Sequence, residues 1–294
     1  MVKIIIDTDM GPDCDDAGAL ALAHNLQRKG ECEILAVTHC TSPVEGTNTI
    51  SAINSFYNRR DIPVGRCRKD SFLDGEFQRK YTSVISDMYL KSNVQPEYYD
   101  AVKLLRKTLS ENKDVVFVTI GTFNNISELL KSGPDEISDK TGIELVRDSV
   151  KFFSTMGADF RDGEPWAEFN VRMDIESSNF FCENCPVKIV YSPCLMGEEI
   201  TTGKTLRNTS QNNPVRIAYD IYTDGKGERY SYDLLSVYYA VRGCDGLFKE
   251  NKNLKICFDD KGYTNCEIGG KDSYLENCAN KSIIEEKLEE LLCE

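Results

Sequence analysis

Only two histidines, His24 and His39, and a single tryptophan, Trp166, occur in this chain of 294 residues. Among its twelve cysteines only Cys182 and Cys185 form a C-x-x-C pair, and no second pair accompanies it. So few nitrogen and sulfur donors argue against a zinc site. No apolar run approaches the roughly 20 residues that a membrane-spanning helix needs, so no membrane partner is expected. Charged and turn-forming residues arrive by Asp7, so an amino-terminal signal sequence is not expected either. Scattered thiols in a long chain without an export signal read as reduced cysteines of a cytoplasmic protein. Positive charge is scarce too. Against 48 Asp and Glu there are 35 Lys and Arg, a net charge of −13, which disfavours a nucleic-acid partner and suits a bound cation. Low-complexity tracts are missing, and 40% apolar residues can build the core of one large α/β domain or two small ones.

What is present is concentrated in Lys3–Leu22, KIIIDTDMGPDCDDAGALAL. Ile4, Ile5 and Ile6 form a β-branched run too short for a helix and read as a buried strand. Asp7, Asp9, Asp13, Asp15 and Asp16 follow, interrupted by Gly11 and Pro12, and Ala17–Leu26 then reads as a helix. Open α/β sheets place ligand sites on loops leaving the carboxyl ends of strands. Carboxylates this dense need a cation or shifted pKa values, and Ca²⁺ takes many oxygen ligands in loose geometry. The plainer reading is a solvated acidic loop in which Asp15 or Asp16 caps the helix; the strand-end position and the Asp-Asp pair favour a metal. Cys14, among these anions, is not expected to act as a thiolate nucleophile.

Short apolar strands then alternate with helical stretches. Strands are expected at 33–38, 61–65, 114–121, 148–156 and 187–191. Helices are expected at 47–58, 98–109, 126–132, 175–184, 216–222, 234–241 and 282–292. Asn125 and Asp174 read as caps, and residues 66–95 as a loop and helix beside the pocket mouth. The tail from 246 reads as short strands, turns and a final helix. This alternation predicts a single α/β domain over 1–294, with a mostly parallel central sheet and helices on both faces.

Three stretches resemble one family. DTDMGPDCDDA resembles the amino-terminal signature of the nucleoside hydrolases, the inosine–uridine preferring N-ribohydrolases. That signature is D-x-D-x-G, a gap and D-D-A, here in its longer form. Ala167-Glu168-Phe169-Asn170, with Asp174 beyond it, is similar to the family's A-E-F-N loop. Tyr232-Asp233 stands where the best-studied branch has His-Asp. The resemblance implies a Rossmann-like nucleoside hydrolase fold. It implies Ca²⁺ held by Asp9, Asp16, Asp233 and the backbone carbonyl of Ile120, with a water and two ribose hydroxyls completing the shell. Asp16 and Asp233 are thereby substrate-binding residues as well. It casts Asp9 as the base that takes the water's proton. Asp15 becomes the partner of the 2′-hydroxyl, with Asp13 its rival because the loop is longer, and Glu168 and Asn170 hold the other hydroxyls. Trp166 either stacks on the base or packs the loop. Tyr232 is a weaker acid at neutral pH than a protonated histidine.

Two departures stand out. The loop after the second strand reads Thr41-Ser42-Pro43, without the family's Asn, so Ser42 or Asn48 is the substitute. Asp162 occupies the position of an Asn that meets the 5′-hydroxyl. The activity implied is Ca²⁺-dependent hydrolysis of ribonucleosides to base and ribose, a step of nucleoside salvage, in a homodimer or homotetramer. The alternatives are a catalytically silent relative that binds ribosyl ligands, and a haloacid-dehalogenase-like phosphatase, which would share the strand-end DxD.

Overall fold

The isoleucine run forms β1 (Val2–Thr8), with Ile4, Ile5 and Ile6 fully buried. A computed structural model describes residues 1–164 and 166–293. The strands that follow are β2 (Cys32–His39), β3 (Val64–Arg66), β4 (Tyr99–Asp100), β5 (Val115–Thr119), β6 (Val150–Met156) and β7 (Ile189–Ser192). β8 (Thr201–Thr202) and β9 (Arg229–Tyr230) make a separate ribbon. β10 (Phe248–Phe258), β11 (Thr264–Ile268) and β12 (Asp272–Asn277) complete a ten-stranded sheet in the order β11-β10-β12-β7-β6-β5-β1-β2-β3-β4. All its pairings are parallel except those of β10 with β11 and β12.

The helices are α1 (Asp15–Arg28), α2 (Val44–Phe56), α3 (Thr82–Ser92), α4 (Ala101–Glu111), α5 (Asn124–Lys131), α6 (Gly142–Ser149), α7 (Phe169–Arg172), α8 (Ile175–Asn184), α9 (Cys194–Glu198), α10 (Pro214–Tyr222), α11 (Tyr232–Arg242) and α12 (Lys281–Leu292). A parallel sheet must be covered on both faces, and alternation along β1 shows how. Ile4 and Ile6 pack with Leu20 of α1, Val237 of α11 and Leu288 of α12. Ile5 points the other way, into Leu105 of α4, Ile126 of α5 and Phe181 of α8. Fully burying each isoleucine contributes about 1.5–3 kcal/mol.

The sequence-based expectations hold in kind and shift at their ends. The helix expected from residue 47 starts at Val44, and the one expected from 98 starts at Ala101, where Asp100 accepts the Lys103 amide. The strand expected at 61–65 is Val64–Arg66. Asp174 caps α8 through the Ser177 amide, as expected. Asn125 does not cap α5. Phe123 holds the cap position, while the Asn125 amide nitrogen donates to Asp7 and to the His39 carbonyl. All twelve cysteines are free. Among the described residues no helix is long and apolar enough to cross a membrane.

β1 lies between β2 and β5, so the chain leaves it in one direction and returns on the other side. That reversal opens a crevice at the carboxyl ends of β1 and β5.

Candidate active site

A cavity of about 310 Å³ occupies this crevice, with Asp9 from the exit of β1 and Ile120 from the exit of β5 in its wall. The two exits touch because residue 121 is glycine; a Cβ there would lie 2.6 Å from the Asp9 amide nitrogen. Asp15, Glu168, Asn170 and Asp233 line the same cavity, and all are buried. Around this acidic floor stands an aromatic rim of Phe77, Trp166, Tyr222 and Tyr232. Phe77 and Trp166 are 55% and 48% exposed, which puts them at the mouth. Phe77 belongs to the 66–95 segment expected beside it.

Asp15 and Asp16 open α1 but neither caps it; Cys14 holds the cap position. Asp15 instead serves another helix. Its Oδ2 accepts the amides of Tyr232 at 2.9 Å and Asp233 at 3.1 Å, at the amino terminus of α11. A carboxylate is well placed there against the helix dipole. Its Oδ1 is buried without a partner. Asp16 accepts the Thr8 hydroxyl. Ligand oxygens of Asp13, Asp16 and Asp233 lie within 4.8 Å of one another. The three-way cluster thus contains Asp13 where the resemblance implied Asp9, and Asp9 sits beside it in the cavity wall.

Burial pushes the carboxyls of Asp9, Asp15, Asp16 and Asp233 well above the carboxylate range, and their mutual repulsion adds to it. An all-oxygen set with an orphaned buried acceptor beside it fits a hard divalent cation. Cys14 is buried, and burial with its acidic neighbours pushes its thiol up, as expected of an inert cysteine.

Glu168 builds its own corner. Its carboxylate accepts the amides of Asn170 at 2.9 Å and Val171 at 3.1 Å and so caps the short helix α7. This turns Asn170 into the cavity, where its amide reaches the Met156 carbonyl at 3.4 Å. Burial raises Glu168 to about 7. Tyr232 packs on Gly197, where a Cβ would lie 2.4 Å from its ring. Burial pushes its phenol up.

Neither substitute for the missing asparagine reaches the cavity. Ser42 bonds the Lys69 carbonyl and the Phe72 amide, and Asn48 is taken by Ser86, Gln95 and Tyr98. Asp162 is exposed and outside the lining. Arg229, which sequence reasoning passed over, does line the cavity and donates to Asp13 at 3.0 Å. No local pattern marked it, since its partner lies 216 residues away.

The sequence model of the family described as inosine-uridine preferring nucleoside hydrolase matches residues 4–281. No curated protein matches the chain by sequence. Solved structures share its fold at low identity. The inosine-uridine preferring nucleoside hydrolase from Bacillus anthracis is 15% identical with a TM-score of 0.77, covering 99% of both chains. The purine-preferring ribonucleoside hydrolase from Gardnerella vaginalis is 18% identical at 0.73, over 99% of this chain and 98% of that one. The type III effector protein XopQ, complexed with adenosine diphosphate ribose, is 14% identical at 0.75, over 99% and 93%.

Proposed function

The chain belongs to the family of inosine-uridine preferring nucleoside hydrolases, and from that premise we propose that it hydrolyses the N-glycosidic bond of ribonucleosides with Ca²⁺ at the acidic floor. The observation that carries this reading is one cavity in which buried Asp9, Asp15, Asp233, Glu168 and Asn170 face an aromatic rim. A polyhydroxylated sugar suits the floor, and a flat base suits the rim. The phosphatase alternative has no use for Glu168, Asn170 or Asp233 and falls to the family match.

Asp9, Asp16 and Asp233 with the Ile120 carbonyl would hold the ion, and Asp13 is close enough to join them. When bound, a divalent cation offsets the repulsion of these carboxylates and makes a neighbouring water more acidic. Asp9 takes the proton of the water that attacks C1′. Asp15 accepts the 2′-hydroxyl on its free Oδ1, and Glu168 and Asn170 hold the remaining hydroxyls. Trp166 stacks on the base, and the Tyr232 hydroxyl donates a hydrogen bond toward it. The surrounding carboxylates stabilise the positive charge that grows on the sugar.

The test is release of reducing sugar from a panel of ribonucleosides, with and without chelator, for the native chain and Asp9→Ala. Chelator-sensitive release that Asp9→Ala abolishes supports the reading. The similar effector solved with adenosine diphosphate ribose favours a second one, a relative that binds ribosyl ligands without turnover. Calcium-dependent ligand affinity with no sugar released from any nucleoside would decide for it.

A further inference from the structure

The rim of the cavity holds a cation in an unusual setting. The Arg229 guanidinium lies 5.3 Å from the ring centre of Tyr222, 5.2 Å from that of Tyr230 and 5.4 Å from that of Tyr232. Three rings and the Asp13 carboxylate hold it in place. Asp13 also approaches Asp16 and Asp233, so it fixes Arg229 between the acidic floor and the aromatic rim. A guanidinium has five N–H donors. Among the described residues Arg229 makes one hydrogen bond, to Asp13, and its Nε is buried without a partner. An unpaired buried donor is costly. Arg229 itself lines the ligand cavity beside Tyr222 and Tyr232, two of the rings of its rim.

We propose that Arg229 is a catalytic residue that stabilises the negative charge of the departing base. This rests on the hydrolase reading above. As the water oxygen bonds to C1′, the C1′–N bond breaks and its electron pair goes to the base nitrogen. The water's proton passes to Asp9. The base leaves as an anion delocalised over its ring, accepts hydrogen bonds from the guanidinium, and takes a proton from solvent after release. Tyr232 supplies at most a neutral hydrogen bond, because a phenol of pKa near ~10 holds its proton at neutral pH. A fixed cation does the same work with no proton to lose.

The experiment compares leaving groups at saturating calcium. Inosine and uridine depart as poor anions; p-nitrophenyl β-ribofuranoside departs as a stable phenolate that needs little help. Arg229→Gln is expected to lose about 10²–10³-fold in kcat on the nucleosides, the range for removing one charge-stabilising donor, and at least tenfold less on the nitrophenyl riboside. Arg229→Lys, which keeps a charge against Asp13, is expected to fall between, and it carries the same comparison if the glutamine variant is unstable. Equal losses on both substrate classes, or a change confined to KM, would overturn the assignment. The latter is also what a role in binding a substrate phosphate predicts. A native chain that turns over none of these substrates fails the hydrolase reading itself. A native chain that works while both variants stay within threefold of it fails only the role of Arg229.

Discussion

Asp7 offers a sharp test of how burial sets the electrostatics beneath the site. It is fully buried near the carboxyl end of β1. Its Oδ1 accepts the Thr38 hydroxyl from β2 and the Asn125 amide, at 2.8 Å, from α5. Its Oδ2 has no partner. Burial raises its pKa from 3.8 to about 7, although the two hydrogen bonds pull the other way. Between these values the folded chain keeps a proton that the unfolded chain has released. The stability linked to Asp7 is therefore complete below about pH 4 and is lost as pH rises through 7. At roughly 1.4 kcal/mol per pKa unit, the whole loss is about 4 kcal/mol. Asp7→Asn retains a carbonyl oxygen for Thr38 and Asn125 and has no charge to bury. From pH 5 to pH 8 the stability of Asp7→Asn relative to the native chain should rise by about 3 kcal/mol, since roughly two pH units of that interval lie below the folded value. Urea unfolding followed by circular dichroism at pH 5, 6, 7 and 8, with chelator throughout, measures this directly, because the other carboxylates are common to both chains. Parallel curves across the range would refute the argument and mean that Asp7 stays ionised at the bottom of the sheet.

Two further outcomes follow from the site. Asp15→Ala removes the acceptor for two amides at the start of α11 and should cost about 1–2 kcal/mol in thermal melting, with sugar release reduced at least about 100-fold; a variant that melts like the native chain would show that the cap contributes nothing. Trp166→Ala should leave the melting temperature unchanged, because the ring is half exposed, and raise KM for nucleosides about tenfold, the worth of roughly one aromatic stack; unaltered KM would mean that the ring only covers the loop.

Much of the fold was legible because its signals are local. The run Ile4-Ile5-Ile6 can satisfy its burial only inside a sheet covered on both faces. Asp174 sits one residue before α8 and caps it. The acidic loop follows β1 and precedes α1, so its place at a strand's carboxyl end followed from order alone. The edge of the sheet was less readable. β10 is an eleven-residue strand paired antiparallel to both neighbours, and β12 joins β7 in parallel. That pairing is a choice among partners that short strands and turns do not announce.

The sequence by itself determined which chemical groups are available: the aspartates of the first loop, Glu168 and Asn170 three and one residues before Val171, and Tyr232-Asp233 at a helix start. Tertiary structure alone decided what each group does with its lone pairs. Asp15 caps a helix that begins 217 residues later, Asp13 meets Arg229 across 216, and Asn125 reaches Asp7 across 118. Asn48, plausible by position, is spent on Gln95 and Tyr98. Local propensity extends over a few residues, whereas these bonds form only after the sheet has brought distant strand ends together and excluded the water that would otherwise satisfy them.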